Sequence, residues 1–179
     1  RTTLGDSGLV VSRIGLGMAA LGRPGYINIG HSDDFEGARD VEAMERHARS
    51  VLDVAFELGV RSFDAARSYG RGEAFLAGWL RDRQIDPDSV TISSKWGYVY
   101  TAGWRVDADR HEVKDHSVAN LRRQAIESRE LLGHHLDLYQ IHRWDDYTPI
   151  EETLSALDAL VQIGKVRYIG ASSMASWKL

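Results

Sequence analysis

The 179-residue chain is predicted to be an α/β protein built on a parallel sheet, and three observations lead there. Four segments carry apolar residues at helical spacing. Five short apolar or β-branched runs lie between and around them. The two kinds alternate from about residue 12 to the end, which argues for parallel strands joined by right-handed crossovers. Two architectures fit: an open doubly wound sheet, or a (β/α)8 barrel cut short. A full barrel takes about 250 residues, so this chain would hold its first five units.

The elements follow in order. "LVVSRIGLGMAAL" (9–21) supplies the first strand, preceded by a small hairpin over Gly5-Asp6-Ser7-Gly8. Residues 40–58 place Val41, Met44, Ala48, Val51, Ala55 and Leu58 at steps of three and four, one buried helical stripe ended by Gly59. "VRSFDAA" (60–66) is the next strand. A helix follows Gly70 and Gly72, with Phe75, Leu76, Trp79 and Leu80 facing inward. "DPDSVTISSKWG" (86–97) reads as a turn and a strand. The third helix buries Val118, Leu121, Ala125, Ser128 and Leu132 and stops at Gly133, before the strand "LDLYQIH" (136–142). Thr148, Pro149 and Glu151 predict a capping box with proline at the first helical position. Leu154, Leu157 and Leu160 make that helix's inner face, Gly164 ends it, and "KVRYIGASS" (165–173) is the last strand.

Composition narrows the function. Apolar residues are 43% and charged residues 27%, ordinary for a globular core, and a net charge of -4 gives no electrostatic reason to expect nucleic acid. The absence of cysteine removes disulfides and thiolate metal sites and suits a reducing cytoplasm. No apolar run approaches the ~20 residues of a membrane span, and no secretory signal is visible. A cytoplasmic protein is expected. Arg1 at the start and "ASSMASWKL" at the end suggest a piece of something longer, here one incomplete domain over 1–179.

Three strands end in a polar group: Asp64 after "VRSF", Lys95 after "VTISS" and His142 after "LYQI". Tyr69 follows in the turn after the first of them. Strand C-termini of a parallel sheet share one edge, and active sites form there. Singly, each residue is more often a turn, surface or core residue; together they define a constellation. Asp64 needs a cation, and Lys95 supplies it. A phenol titrates near 10, but an ammonium at ~4 Å and an effective dielectric near 20 stabilises the phenolate by about 4 kcal/mol. Tyr69 would then act as general acid toward a carbonyl oxygen, and as base in reverse, with His142 orienting the carbonyl.

The start "IGLGMAALG" with its hairpin, then "FDAARSYG", "SSKWG", "DLYQIH" and "GKVRYIGASS", resemble the aldo-keto reductases in that order along essentially the whole chain. The resemblance implies a TIM barrel, a nicotinamide cofactor, usually NADP(H) with NAD(H) as the other choice, and no metal. It assigns Asp64, Tyr69, Lys95 and His142 as the catalytic four. It also puts Gly17, Met18 and Asp64 beside the cofactor and gives Ser172 and Ser173 to its carboxamide. Ala65 and Ser173 stand where threonine and asparagine are common. The last three barrel units, which carry most pyrophosphate and adenosine contacts in the family, have no counterpart here, so a catalytically inactive binding or structural module is the alternative. A Schiff-base lyase using Lys95 is a third reading.

The remaining expectations are local. Trp96 and Trp144 are taken as substrate walls for a small carbonyl or sugar-like molecule. Residues 96–115 form a long loop, either a lid or a hydrophobic cluster, and the loop 22–39 receives no role. Gly-x-Gly in "GLGMAALG" follows a strand, but its third glycine is misplaced and no capped helix follows promptly, so a dinucleotide fingerprint is rejected. His134-His135 reads as loop rather than a metal site.

Overall fold

The computed structural model describes residues 1–26, 38–144, 146–175 and 177. Its strands are β1 (Thr2–Thr3), β2 (Val10–Val11), β3 (Gly15–Gly17), β4 (Ser62–Asp64), β5 (Thr91–Trp96), β6 (Tyr98–Tyr100), β7 (Glu112–Lys114), β8 (Leu136–Ile141) and β9 (Tyr168–Ala171). Its helices are α1 (Val41–Glu57), α2 (Gly72–Asp82), α3 (Val118–Leu132) and α4 (Ile150–Gln162). The main sheet runs β3-β4-β5-β8-β9, every neighbouring pair parallel. α1 packs on α2, α2 on α3 and α3 on α4. A doubly wound sheet reverses its strand order and carries helices on both faces. Sequential strands beneath one layer of successive helices are instead a sector of a (β/α)8 barrel.

Strand alternation separates two faces. Phe63, Ile92, Trp96, Tyr139 and Ile141 are buried under the helices with Leu52, Leu76, Trp79 and Leu121. Trp79 packs edge-on against Phe56 at 5.6 Å, and its indole N–H donates to Asp53 Oδ1 at 2.8 Å. The alternate residues Asp64, Ser93, Lys95 and Gln140 point to the concave side. The β1–β2 hairpin reaches the start of β5, where Thr91 Oγ1 donates to the Val10 carbonyl at 2.9 Å. It therefore sits at the N-terminal end of the strands and leaves the opposite edge to loops.

Two sequence expectations change here. α4 begins at Ile150, with Pro149 as an extended N-cap residue (ψ 130°), so the proline stands just before the first helical position rather than in it. Pro149 lies outside the helix, which places Thr148 two positions before the first helical residue. Residues 96–115 are not an irregular loop, because β6 and β7 pair antiparallel, Tyr98 opposite Lys114. Trp104 anchors the hairpin's tip, its indole N–H donating to the Arg39 carbonyl at 2.8 Å and its ring against Phe75 at 6.1 Å. Of the loop 22–39, residues 27–37 lie outside the described residues.

Candidate active site

The parallel ladder continues past the strand ends and carries four side chains to one edge. Ala65 N–H donates to the Ser93 carbonyl, Arg67 N–H to that of Lys95, and His142 N–H to that of Trp96. Beyond Arg67 the chain turns sharply through Tyr69 and Gly70 into α2. That turn lies backbone against backbone on the loop after β3. Arg71 N–H donates to the Gly22 carbonyl at 2.7 Å, and a Cβ on Gly22 would come within 2.2 Å of the Tyr69 carbonyl oxygen. Only glycine permits this approach. Gly70 adopts φ +61° in the same contact.

Lys95 is 5% exposed, and its ammonium is fully engaged. It forms a salt bridge with Asp64 Oδ2, donates to the Ala65 carbonyl at 2.9 Å, and reaches the Tyr69 hydroxyl oxygen at 3.2 Å. Its three donors meet three acceptors. Ser93 Oγ donates to Asp64 Oδ1 at 2.5 Å, so the carboxylate is fixed from its other side as well. The His142 ring stands edge-on to Tyr69 at 5.4 Å between centroids. The structure thus brings Asp64, Tyr69, Lys95 and His142 together. Tyr139, the neighbouring buried tyrosine, lies on the helix side, where burial pushes its phenol up and away from useful proton transfer.

Ser172 and Ser173 follow β9 on this edge, their hydroxyls 3.4 Å apart, with Ser172 N–H bonded to the Ile141 carbonyl next to His142. Gly17 is exposed at the end of β3, directly opposite Asp64, and a Cβ there would meet nothing within 4 Å. Met18 departs from its expected place. Its side chain is fully buried in the core, so Gly17 alone of that pair presents surface.

One of the two expected substrate walls, Trp96, also needs correction. Trp96 is 0% exposed, because it alternates with Lys95 and points into the helix layer, where it packs edge-on against His116 at 5.3 Å. A ring with no accessible surface cannot line a pocket. Tyr98, half-buried, stands edge-on to His142 at 5.4 Å. Trp144 is half-buried behind His142, and its carbonyl accepts from Lys114 of the hairpin at 3.0 Å.

Three residues escape sequence reasoning. Arg23, buried, donates to the Ser68 carbonyl at 2.9 Å and to Glu112 Oε2 at 3.0 Å, joining the β3 loop, the Tyr69 turn and the hairpin. Glu73 is buried beneath the turn, paired with Arg67 and accepting from Ser94 Oγ at 2.5 Å and Ser128 Oγ at 2.7 Å. Ser68, fully buried, has its Oγ 3.2 Å from His142 Nδ1. Arg23 lies 45 and 89 residues from its partners, and Glu73 lies 21 and 55 from its two serines although only 6 from Arg67, so no local pattern reports these networks.

Burial pushes the His142 imidazole down to about 4, with the Lys95 charge next and Arg143, Arg23 and His116 adding to it. The ring is neutral at physiological pH. The unfolded chain binds a proton near 6.5 that the folded state refuses until about 4. Stability is therefore full above pH 6.5 and falls as the pH drops through that window. Each pH unit costs up to about 1.4 kcal/mol, and solvent access to the ring reduces the total to about 1–2 kcal/mol. Urea titrations at pH 7 and pH 4.5 should show this loss, and His142→Gln should remove it; an equal loss in the variant would contradict the assignment.

The chain belongs to the aldo/keto reductase family, whose model matches residues 13–179. The versiconal hemiacetal acetate reductase of Aspergillus parasiticus is 34% identical over 187 residues, covering 98% of this chain and 51% of that protein. Among solved structures, the holo form of the aldo-keto reductase AKR11C1 from Bacillus halodurans superposes with a TM-score of 0.72. It is 28% identical, over 96% of this chain and 49% of its own. The glycerol dehydrogenase AKR11B4 from Gluconobacter oxydans superposes with a TM-score of 0.70 at 27% identity, over 94% and 46%. The chain spans about half the length of the relatives it matches. Its five parallel strands are the corresponding part of a TIM barrel.

Proposed function

We propose that this chain carries the proton-transfer half of an NADP(H)-dependent oxidoreductase that reduces an aldehyde or ketone, or oxidises the alcohol in reverse. NAD(H) is the other nicotinamide this reading admits. One observation carries it: the Lys95 ammonium bridges the Asp64 carboxylate and the Tyr69 hydroxyl, with His142 beside the phenol. Tyr69 gives its proton to the carbonyl oxygen as charge develops there, and the ammonium 3.2 Å away stabilises the phenolate left behind. Asp64 holds the ammonium in place. His142, neutral, donates a hydrogen bond that orients the carbonyl, and Tyr98 with Trp144 forms the wall beside it.

The residues present fit a nicotinamide. Gly17 leaves open space at its strand end, and the Ser172 and Ser173 hydroxyls offer polar partners for a carboxamide at the far side of the sheet edge. A reduced nicotinamide, when bound, supplies the hydride. A lyase reading loses support, because a lysine whose three donors are engaged is a poor amine nucleophile.

Mixing the protein with NADPH and a panel of reactive aromatic aldehydes, and following the nicotinamide absorbance band, tests the proposal. A substrate-dependent fall in absorbance is expected. No turnover across the panel from protein that melts cooperatively would transfer the reading to a non-catalytic module.

A further inference from the structure

Ser68 sits where the sequence offers no hint of function, one residue before Tyr69. Its side chain has no exposure, and its hydroxyl has one described partner, His142 Nδ1 at 3.2 Å. A hydroxyl enclosed in protein needs an acceptor for its proton, because an unmatched buried donor forfeits its full solvation. Two arrangements would close this contact. If Nδ1 carried the imidazole proton and donated to Oγ, the serine proton would have no acceptor among the described residues. If Ser68 donates to Nδ1, both groups are satisfied and the imidazole proton sits on Nε2.

We infer that Ser68 is a positioning residue that fixes His142 as the Nε2–H tautomer, so that the imidazole presents a hydrogen-bond donor, not a lone pair, to the substrate oxygen.

Two further contacts make Ser68 a firm reference point. Its carbonyl accepts from the buried Arg23 guanidinium at 2.9 Å, so the residue cannot swing away from the ring. Tyr69 and Tyr98 stand edge-on to the same imidazole at 5.4 Å each, restricting its plane. The cations around the ring, Lys95, Arg143 and Arg23, disfavour a second proton on it, which keeps Nδ1 free to accept. A neutral imidazole held by a second group in one tautomer is a recurrent way to aim its remaining proton. The role given to that proton rests on the carbonyl reduction proposed above; the tautomer itself does not.

Histidine-selective 15N labelling and a long-range proton–nitrogen correlation spectrum at neutral pH test the tautomer directly, with His142 assigned by its disappearance in His142→Gln. The wild-type protein should show a pyridine-like Nδ1 and a pyrrole-like Nε2. In Ser68→Ala the two shifts should move toward the average of a mixed population. With the best aldehyde, kcat should fall about five- to tenfold, the order of one neutral hydrogen bond, while KM stays nearly constant. A pyrrole-like Nδ1 in the wild type overturns the inference, as does a Ser68→Ala spectrum identical to wild type. Should Ser68→Ala not fold, the wild-type spectrum still decides the tautomer. If the tautomer is as stated and no carbonyl is turned over, the Ser68 assignment stands and the proposed reaction falls.

Discussion

Replacing Tyr69 by phenylalanine should lower kcat/KM for any aldehyde substrate by about a thousandfold, the middle of the range for a lost general acid. That corresponds to roughly 4 kcal/mol of transition-state stabilisation. The substitution isolates the proton. The phenyl ring keeps its edge contact with His142 and its place 4.8 Å from the Lys95 ammonium. Lys95 retains Asp64 and the Ala65 carbonyl, so the ion pair survives. The melting temperature and the affinity for NADPH, measured by quenching of protein fluorescence, should change little. A variant that retains activity within about tenfold of wild type would mean the proton comes from elsewhere, and the site's assignment would be wrong however well its geometry fits.

Much of the fold is legible in the sequence because long-range order here reduces to local periodicity. In α2 the predicted inner residues Phe75, Leu76, Trp79 and Leu80 are all buried, and in α3 Leu121, Ala125, Ser128 and Leu132 are. Errors gather at helix ends. Leu58 fits the stripe of α1 by spacing, yet it is 80% exposed, because the helix stops at Glu57 and the cap residue leaves its phase. One miss is internal: Leu52, four residues after Ala48, is fully buried, while the predicted Val51 is only half-buried. Leu154 is 46% exposed in a helix whose start the capping signal put one residue early. Periodicity constrains the middle of an element, and the ends depend on backbone angles it does not encode.

The site is legible to the extent that topology dictates it. Asp64, Lys95 and His142 can be placed together from sequence because parallel strands must end at one edge. Arg23, Ser68 and Glu73 cannot, since their partners are set by how loops and helices pack over that edge. The hairpin is a third case. Period-two alternation from Lys95 makes residue 97 the next to face the site, and that residue is a glycine. Gly97 adopts φ +107°, which turns the chain and brings Tyr98 beside His142. A Cβ there would lie 2.5 Å from His116 Nε2, so the turn and the close approach are both glycine's. The aromatic nearest the lysine in sequence is therefore not the one that stands beside His142.

That distinction produces opposite phenotypes at two aromatic residues two positions apart. Trp96→Ala should cost about 3–5 kcal/mol by opening a cavity under the sheet, which for a chain of this size lowers the melting temperature by roughly 10 °C. The indole N–H of Trp96 has no hydrogen-bond partner among the described residues, so Trp96→Phe loses volume but no bond, and it should stay folded and keep its KM. Tyr98→Ala empties only half-buried space beside His142. It should cost about 1 kcal/mol of stability, since a partly exposed ring contributes a fraction of its full burial, while raising KM for an aromatic aldehyde about tenfold through lost edge contact. Thermal melts and steady-state kinetics on the same preparations separate the two. Should Trp96→Phe raise KM with its melting temperature unmoved, while Tyr98→Ala leaves KM alone, the tryptophan is the wall after all. The hairpin would then have to swing away from His142 whenever substrate enters.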